Sequence, residues 1–188
     1  FDPQPSDIRG NIHNINKPNE VVIGFMNICN AQSKRILIMG LPGAGKTYFA
    51  ERLKKYLESY IGPINEHTLR PITDAKITVS WLNADEVRRH YNDWDFSPEG
   101  RLRQAHRMRE IADDEVAKGK TVICDFIAPT DEVRNIFNAD YTVWVDTINA
   151  GRYDDTNQMF VPPKTYNIRV TEQNAEKWSR IIFEEVTQ

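Results

Sequence analysis

Gly40-Leu41-Pro42-Gly43-Ala44-Gly45-Lys46-Thr47 fits the pattern G-x-x-x-x-G-K-[ST] without a mismatch. A phosphate chain laid against bare backbone N–H groups at a helix N-terminus needs glycines there. They tolerate unusual dihedrals and put no Cβ in the way. Lys46 then supplies a mobile positive charge to the β- and γ-phosphates, and the Thr47 hydroxyl is placed to ligand Mg²⁺. The spacing predicts that Gly40, Pro42, Gly43, Ala44, Gly45, Lys46 and Thr47 bind the phosphates of a nucleoside triphosphate such as ATP.

Two further clusters carry ionisable groups at the ends of strand-like runs. Asn83-Ala84-Asp85-Glu86-Val87-Arg88 follows Ile77–Leu82, and Asp125 closes Val122-Ile123-Cys124. An acid beside a γ-phosphate can ligand Mg²⁺ or take a proton from an attacking hydroxyl. An arginine next to it can fork onto an anionic substrate. If Asn83 starts a helix, Asp85 and Arg88 lie on neighbouring turns of one face.

The elements needed to position these groups alternate in type. Arg35–Met39 reads as a strand leading into the glycine-rich loop, and Tyr48–Glu58 as an amphipathic helix leading out. Ser97-Pro98-Glu99 has the cap, proline and acid order of a helix start, and Gly119 closes that helix. Thr121–Phe126 is near-continuously apolar, as a strand buried on both faces requires. A short helix is expected from Thr130-Asp131 to about Phe137, and strands over Tyr141–Val145 and Tyr166–Val170. A C-terminal helix bears Trp178, Ile181, Ile182 and Val186. Strands alternating with helices predict an α/β, three-layer P-loop NTPase fold, its parallel sheet covered by helices on both faces and its chemistry at the strand C-termini.

Composition narrows the partners. The 188 residues are 40% hydrophobic, enough for one core. Net charge is −3 and the pI near 5.8, so no global basic field recruits nucleic acid. The two cysteines, Cys29 and Cys124, form no disulfide framework or metal site between them. No apolar run reaches the roughly 20 residues of a membrane span. No signal peptide is visible, and a reduced, cytoplasmic compartment is expected. Residues 1–33, with Pro3, Pro5, Gly10 and Pro18, read as an N-terminal extension of open role, and 34–188 as a single P-loop domain.

The chain resembles adenylylsulfate kinase, the P-loop kinase family that phosphorylates the 3′-hydroxyl of adenosine 5′-phosphosulfate. The resemblance spans roughly Arg35 to Val170. The family's G-L-S-G-A-G-K-S corresponds to Gly40–Thr47, and its L-D-G-D-N-V-R to Leu82-Asn83-Ala84-Asp85-Glu86-Val87-Arg88. Its G-F-S-x-x-x-R-x-x-N is matched by Asp95–Gln104, its S-F-I-S-P by Asp125–Pro129, and its V-D-T by Val145-Asp146-Thr147.

The resemblance implies MgATP as phosphoryl donor and adenosine 5′-phosphosulfate as small-molecule acceptor. Arg88 and Arg101 would hold the phosphosulfate, and Phe96 would offer a flat face to the substrate adenine. Gln104 stands where the family has Asn, and Ile127 would also touch the substrate. Asp85 takes the place of the family's second acid, as base or metal-side ligand. Arg152 and Phe160 would come from the lid, one toward the ATP phosphates and the other over the substrate base. A homodimer is one assembly open to such a chain.

Three departures qualify the match. Asn83 replaces the family's first acid, and Asp125 appears where a small residue is usual. The acid is thus expected to have moved, and Asp125 to reach Mg²⁺ through water. The basic lid after Val145-Asp146-Thr147 is cut to Ile148–Pro163. Two alternatives stay open: a polynucleotide or nucleoside 5′-hydroxyl kinase, and a nucleotide-binding module without turnover. The acidic pI argues against a long polynucleotide acceptor.

Overall fold

The structure, a computed structural model, describes residues 34–60, 66–70 and 76–187. The N-terminal extension expected over residues 1–33 lies outside them. Five strands, β1 (Arg35–Met39), β2 (Val79–Asn83), β3 (Thr121–Asp125), β4 (Tyr141–Val145) and β5 (Ile168–Val170), form one sheet. Its order is β2-β3-β1-β4-β5 and every pairing is parallel. The described helices are α1 (Lys46–Glu58), α2 (Ala84–Tyr91), α3 (Pro98–Ala117), α4 (Asp131–Phe137), α5 (Asp154–Met159) and α6 (Ala175–Val186). None is long and apolar enough to cross a membrane.

Period-two alternation along the strands divides the core in two. Ile36, Ile38, Ile123, Val143 and Val145 pack with Phe49, Leu53 and Leu57 of α1 and Ile182 and Val186 of α6. Leu37, Met39, Val122, Cys124 and Trp144 pack on the other face with Ala105, Met108 and Ala112 of α3 and Val133 and Phe137 of α4. Both faces being covered explains why β1 and β3 read as unbroken apolar runs. Burying a side chain such as Leu53 contributes about 2 kcal/mol, so these layers supply most of the driving force.

The helix starts are chemically marked. Ser97 Oγ accepts from Gly100 N at 3.1 Å with Pro98 just inside α3, and Thr130 caps α4 through Val133 N. Several boundaries differ from the sequence reading: β3 stops at Asp125 rather than Phe126, and β5 starts at Ile168 rather than Tyr166. α1 begins at Lys46 rather than Tyr48, because the phosphate loop delivers its N–H groups directly into the first turn. β2 covers Val79–Asn83, in register with Thr121–Asp125, so Asn83 is both the last strand residue and the cap of α2. α5, inside the shortened lid, carries no apolar periodicity that would have predicted it.

Candidate active site

The loop between β1 and α1 is built by close approach. A Cβ on Gly40 (φ 147°) would fall 2.3 Å from the Val145 carbonyl oxygen, so only glycine fits where the loop crosses the end of β4. Gly45, at φ 93°, turns the chain into α1. Thr147 Oγ1 donates to Ala44 O at 2.7 Å and ties the loop to the segment after β4. Lys46 Nζ donates to Leu41 O at 3.0 Å. Burial lowers the lysine pKa to about 8, against the opposing pull of Asp125 and Asp85.

Beside this loop, the ends of β2 and β3 carry a polar cluster. Asn83 and Asp125 are directly paired residues, and Asn83 Nδ2 donates to Asp125 Oδ1 at 2.7 Å. Trp81 Nε1 donates to Asp125 Oδ2 at 2.9 Å. Asn83 Nδ2 also faces Thr47 Oγ1 at 3.4 Å, while its Oδ1 accepts from Asp85 N and Glu86 N at 3.1 Å each. Burial raises the Asp125 pKa to about 6, although Trp81, Lys46 and Asn83 all favour its ionised form. Asp85 is exposed in the first turn of α2. It lines the same cleft as Lys46 and Arg88, and its charge favours the protonated form of both.

The far end is formed by two buried arginines and an aromatic ring. Arg88, 4% exposed, donates from one terminal nitrogen to Asp93 O at 3.1 Å and Asp95 O at 2.9 Å. Arg101 donates from Nε to Phe96 O at 2.9 Å and from a terminal nitrogen to Thr156 Oγ1 at 3.2 Å. Their guanidinium carbons lie 4.5 and 5.7 Å from the Phe96 ring centroid. Each such contact contributes about 0.5–2 kcal/mol. Phe96 is nevertheless 45% exposed, so the ring is held while much of it stays open. Gln104 is spent more on structure than its position suggested: Nε2 donates to Ala84 O and Oε1 accepts from Arg107.

The lid folds back over the loop. A Cβ on Gly151 would lie 2.9 Å from Pro42 Cδ, and one on Gly43 would lie 3.6 Å from Arg152 Nε. Asn157 clasps Gly151 through two hydrogen bonds, of 2.7 and 3.0 Å. Phe160 goes elsewhere: it packs against the α3/α4 core layer and under the Arg134 guanidinium, whose carbon is 5.5 Å from the ring centroid.

A cleft of about 670 Å³ joins these parts. Pro42, Gly43, Lys46, Thr47, Asp125 and Arg152 line its phosphate end, and Asp85, Arg88, Phe96, Arg101, Gln104 and Ile127 the rest. Gly40, Ala44, Gly45 and Phe160 do not line it. Lys46, Arg88, Arg89, Arg101 and Arg152 face Asp85, Asp125 and Asp155 there, five cations to three carboxylates, in a chain whose net charge is −3. Such a cleft focuses a positive potential suited to polyanions. The sequence reading missed Trp81, Arg89, Trp94, Tyr153, Asp155 and Thr156. Only Trp81 had a legible signal: two residues before Asn83 in a strand, it must share that residue's face.

The donor set also fits Mg²⁺. Thr47 and Asp85 offer hard oxygens beside the phosphate loop, and Asp125 has both oxygens engaged, which suits contact through water. Among the described residues no group of three or more His, Cys, Asp or Glu forms a cage of its own. Mg²⁺ in phosphoryl-transfer sites takes one or two protein oxygens and completes its shell with phosphate and water.

A parallel sheet in this order, with a glycine-rich phosphate loop between its central strand and first helix, defines a P-loop kinase. Residues 32–150 match the adenylylsulphate kinase family, and the chain belongs to it. It is therefore a nucleotide-binding phosphotransferase acting on an alcohol group. Among solved structures, the Mycobacterium tuberculosis APS kinase in complex with AMPPNP and APS is 18% identical, with a TM-score of 0.63 over 83% of this chain and 98% of that one. A hexameric APS kinase from Thiobacillus denitrificans is 21% identical, with a TM-score of 0.58 over 83% of this chain and 29% of that one. A sugar kinase from Janibacter sp. HTCC2649 shares the fold at 13% identity, with a TM-score of 0.54 over 81% of this chain and 93% of that one. No curated protein gives a significant sequence match.

Proposed function

We propose that this chain transfers the γ-phosphoryl group of MgATP to the 3′-hydroxyl of adenosine 5′-phosphosulfate. The observation that carries the reading is the continuity of one cleft. It runs from Lys46 and Thr47, past Asp85, to Arg88, Arg101 and Phe96. Lys46 and the loop amides would bind the phosphates, with Arg152 above them. Arg88 and Arg101 each keep donor groups free of the hydrogen bonds described above, and two rigid forks suit a phosphosulfate better than lysines would. The open part of the Phe96 ring would stack on the adenine. Between them, Asp85 orients the acceptor hydroxyl and takes its proton as the O–P bond forms. Mg²⁺, held by Thr47 with Asp125 behind it through water, would neutralise charge on the phosphates.

The test is acceptor-dependent ADP formation. Purified protein with MgATP is given adenosine 5′-phosphosulfate, a 5′-hydroxyl oligonucleotide, a sugar such as gluconate, or no acceptor. Turnover with the phosphosulfate alone, lost in Lys46→Ala, is expected. Preference for another alcohol would reassign the acceptor, and no turnover with any would overturn the reading.

A further inference from the structure

Asn83 and Asp125 line the cleft, and with Trp81 beside them they form a group in which nearly every hydrogen-bonding site has a partner. The Asn83 amide has two N–H groups and two acceptor sites. All are placed: the N–H groups toward Asp125 and Thr47, the oxygen under Asp85 N and Glu86 N. Asp125 Oδ2 is met by the Trp81 indole N–H at 2.9 Å. The facing pair must therefore be one carboxylate and one amide. Two carboxylates at 2.7 Å would force one to take up a proton. Two amides would leave either the indole N–H or an amide N–H facing another donor.

Nothing in this geometry requires the charge to sit on β3. An aspartate caps a helix as well as an asparagine does, so Asp at 83 would still receive Asp85 N and Glu86 N. Asn at 125 would accept from Trp81 and donate across the strand pair. The Thr47 hydroxyl would then donate to the carboxylate at 83. Every hydrogen bond survives the exchange.

Resting on the reading above that this cleft binds a magnesium–nucleotide, we infer that Trp81, Asn83 and Asp125 form a single positioning unit. It aims Thr47 and delivers one negative charge beside it, and either strand can carry that charge. Trp81 and Asn83 are positioning residues here; neither need touch the nucleotide. The unit makes a prediction that independent side chains would not: each single change is damaging, and the second change repairs the first.

The experiment compares the wild type with Asn83→Asp, Asp125→Asn, the double exchange and Trp81→Phe, all in the full chain. Binding of ADP, an unreactive probe, is measured by calorimetry with and without Mg²⁺, and urea midpoints are taken without ligand. Each single exchange is expected to reduce the Mg²⁺-dependent gain in ADP affinity by about tenfold or more, and the double exchange to recover most of it. Trp81→Phe should lose about three- to tenfold, with free-ADP affinity unchanged. Urea midpoints should follow the same pattern, lowered in Asn83→Asp and restored in the double. Undiminished binding by Asn83→Asp, or additive losses in a folded double variant, would overturn the inference while leaving the proposed function standing. Absence of any Mg²⁺-dependent ADP binding in the wild type would overturn both.

Discussion

Lys46 reaches the phosphate loop already weakened as a base for its own proton. Burial brings its pKa to about 8, whereas a polyphosphate beside it favours the ammonium form. The pKa is thus higher in the complex than in the free protein. The lysine's contribution to affinity is complete below pH 8 and declines as pH rises through 8 toward the value in the complex. Calorimetric titration of ATP should show proton uptake near pH 8.5, as buffer-dependent heat, and affinity falling by up to about tenfold per pH unit above that. Lys46→Arg, charged throughout, should give a flat profile. At this scale the sequence was legible wherever a motif fixes the residue and its spacing, as at Gly40–Thr47. Trp81's partner was not legible, because Asp125 lies 44 positions away and is brought opposite Asn83 only by strand register.

The lid and the loop that carries Phe96 are each fastened by arginine as well as by packing. Arg134 of α4 donates to Ala128 O at 2.9 Å, Pro129 O at 3.2 Å and Val161 O, and covers Phe160. It fastens the end of the lid to the turn after β3, where Ala128 sits at φ 45° before a proline. A non-glycine residue at positive φ stores about 1–3 kcal/mol of strain, which the clasp helps to retain. Arg134→Ala should lower stability by about 2–4 kcal/mol in urea unfolding and expose residues 148–163 to protease. Arg134→Lys should recover less than half, since one ammonium cannot span those carbonyls.

A second clasp sits at the Phe96 loop. The Arg103 and Arg107 side chains and the backbone N–H of Asp95 hold the Asp93 carboxyl well below the ordinary carboxylate range. A depressed pKa gives stability that is present above the unfolded value of about 3.9 and lost as pH falls further. The difference in Tm between the wild type and Asp93→Asn should therefore be constant from about pH 7 to pH 5 and close as pH drops toward about 2. Neither clasp was legible beforehand, because Arg134 meets Val161 27 positions away, and Arg103 and Arg107 meet Asp93 10 and 14 positions away, only once the loops have folded.

The layers of the whole molecule were the most legible part. Apolar runs over Ile36–Met39 and Val122–Cys124 read as strands, the second as one covered on both faces, and the helix starts carried their caps. What could not be read was how the short segment from Ile148 to Pro163 would be spent. It is docked at both ends, by Gly151 on Pro42 and by Val161 on Pro129, and so spans the phosphate end with few residues. A cover this short should leave the transferred group ventilated. Bulk water can then compete with the intended alcohol, and the enzyme should run as a slow ATPase whenever its acceptor is scarce. Phosphate release from ATP alone, measured beside coupled turnover, should be detectable and should fall as acceptor is added; a rate equal to that of Lys46→Ala would mean the short cover seals after all.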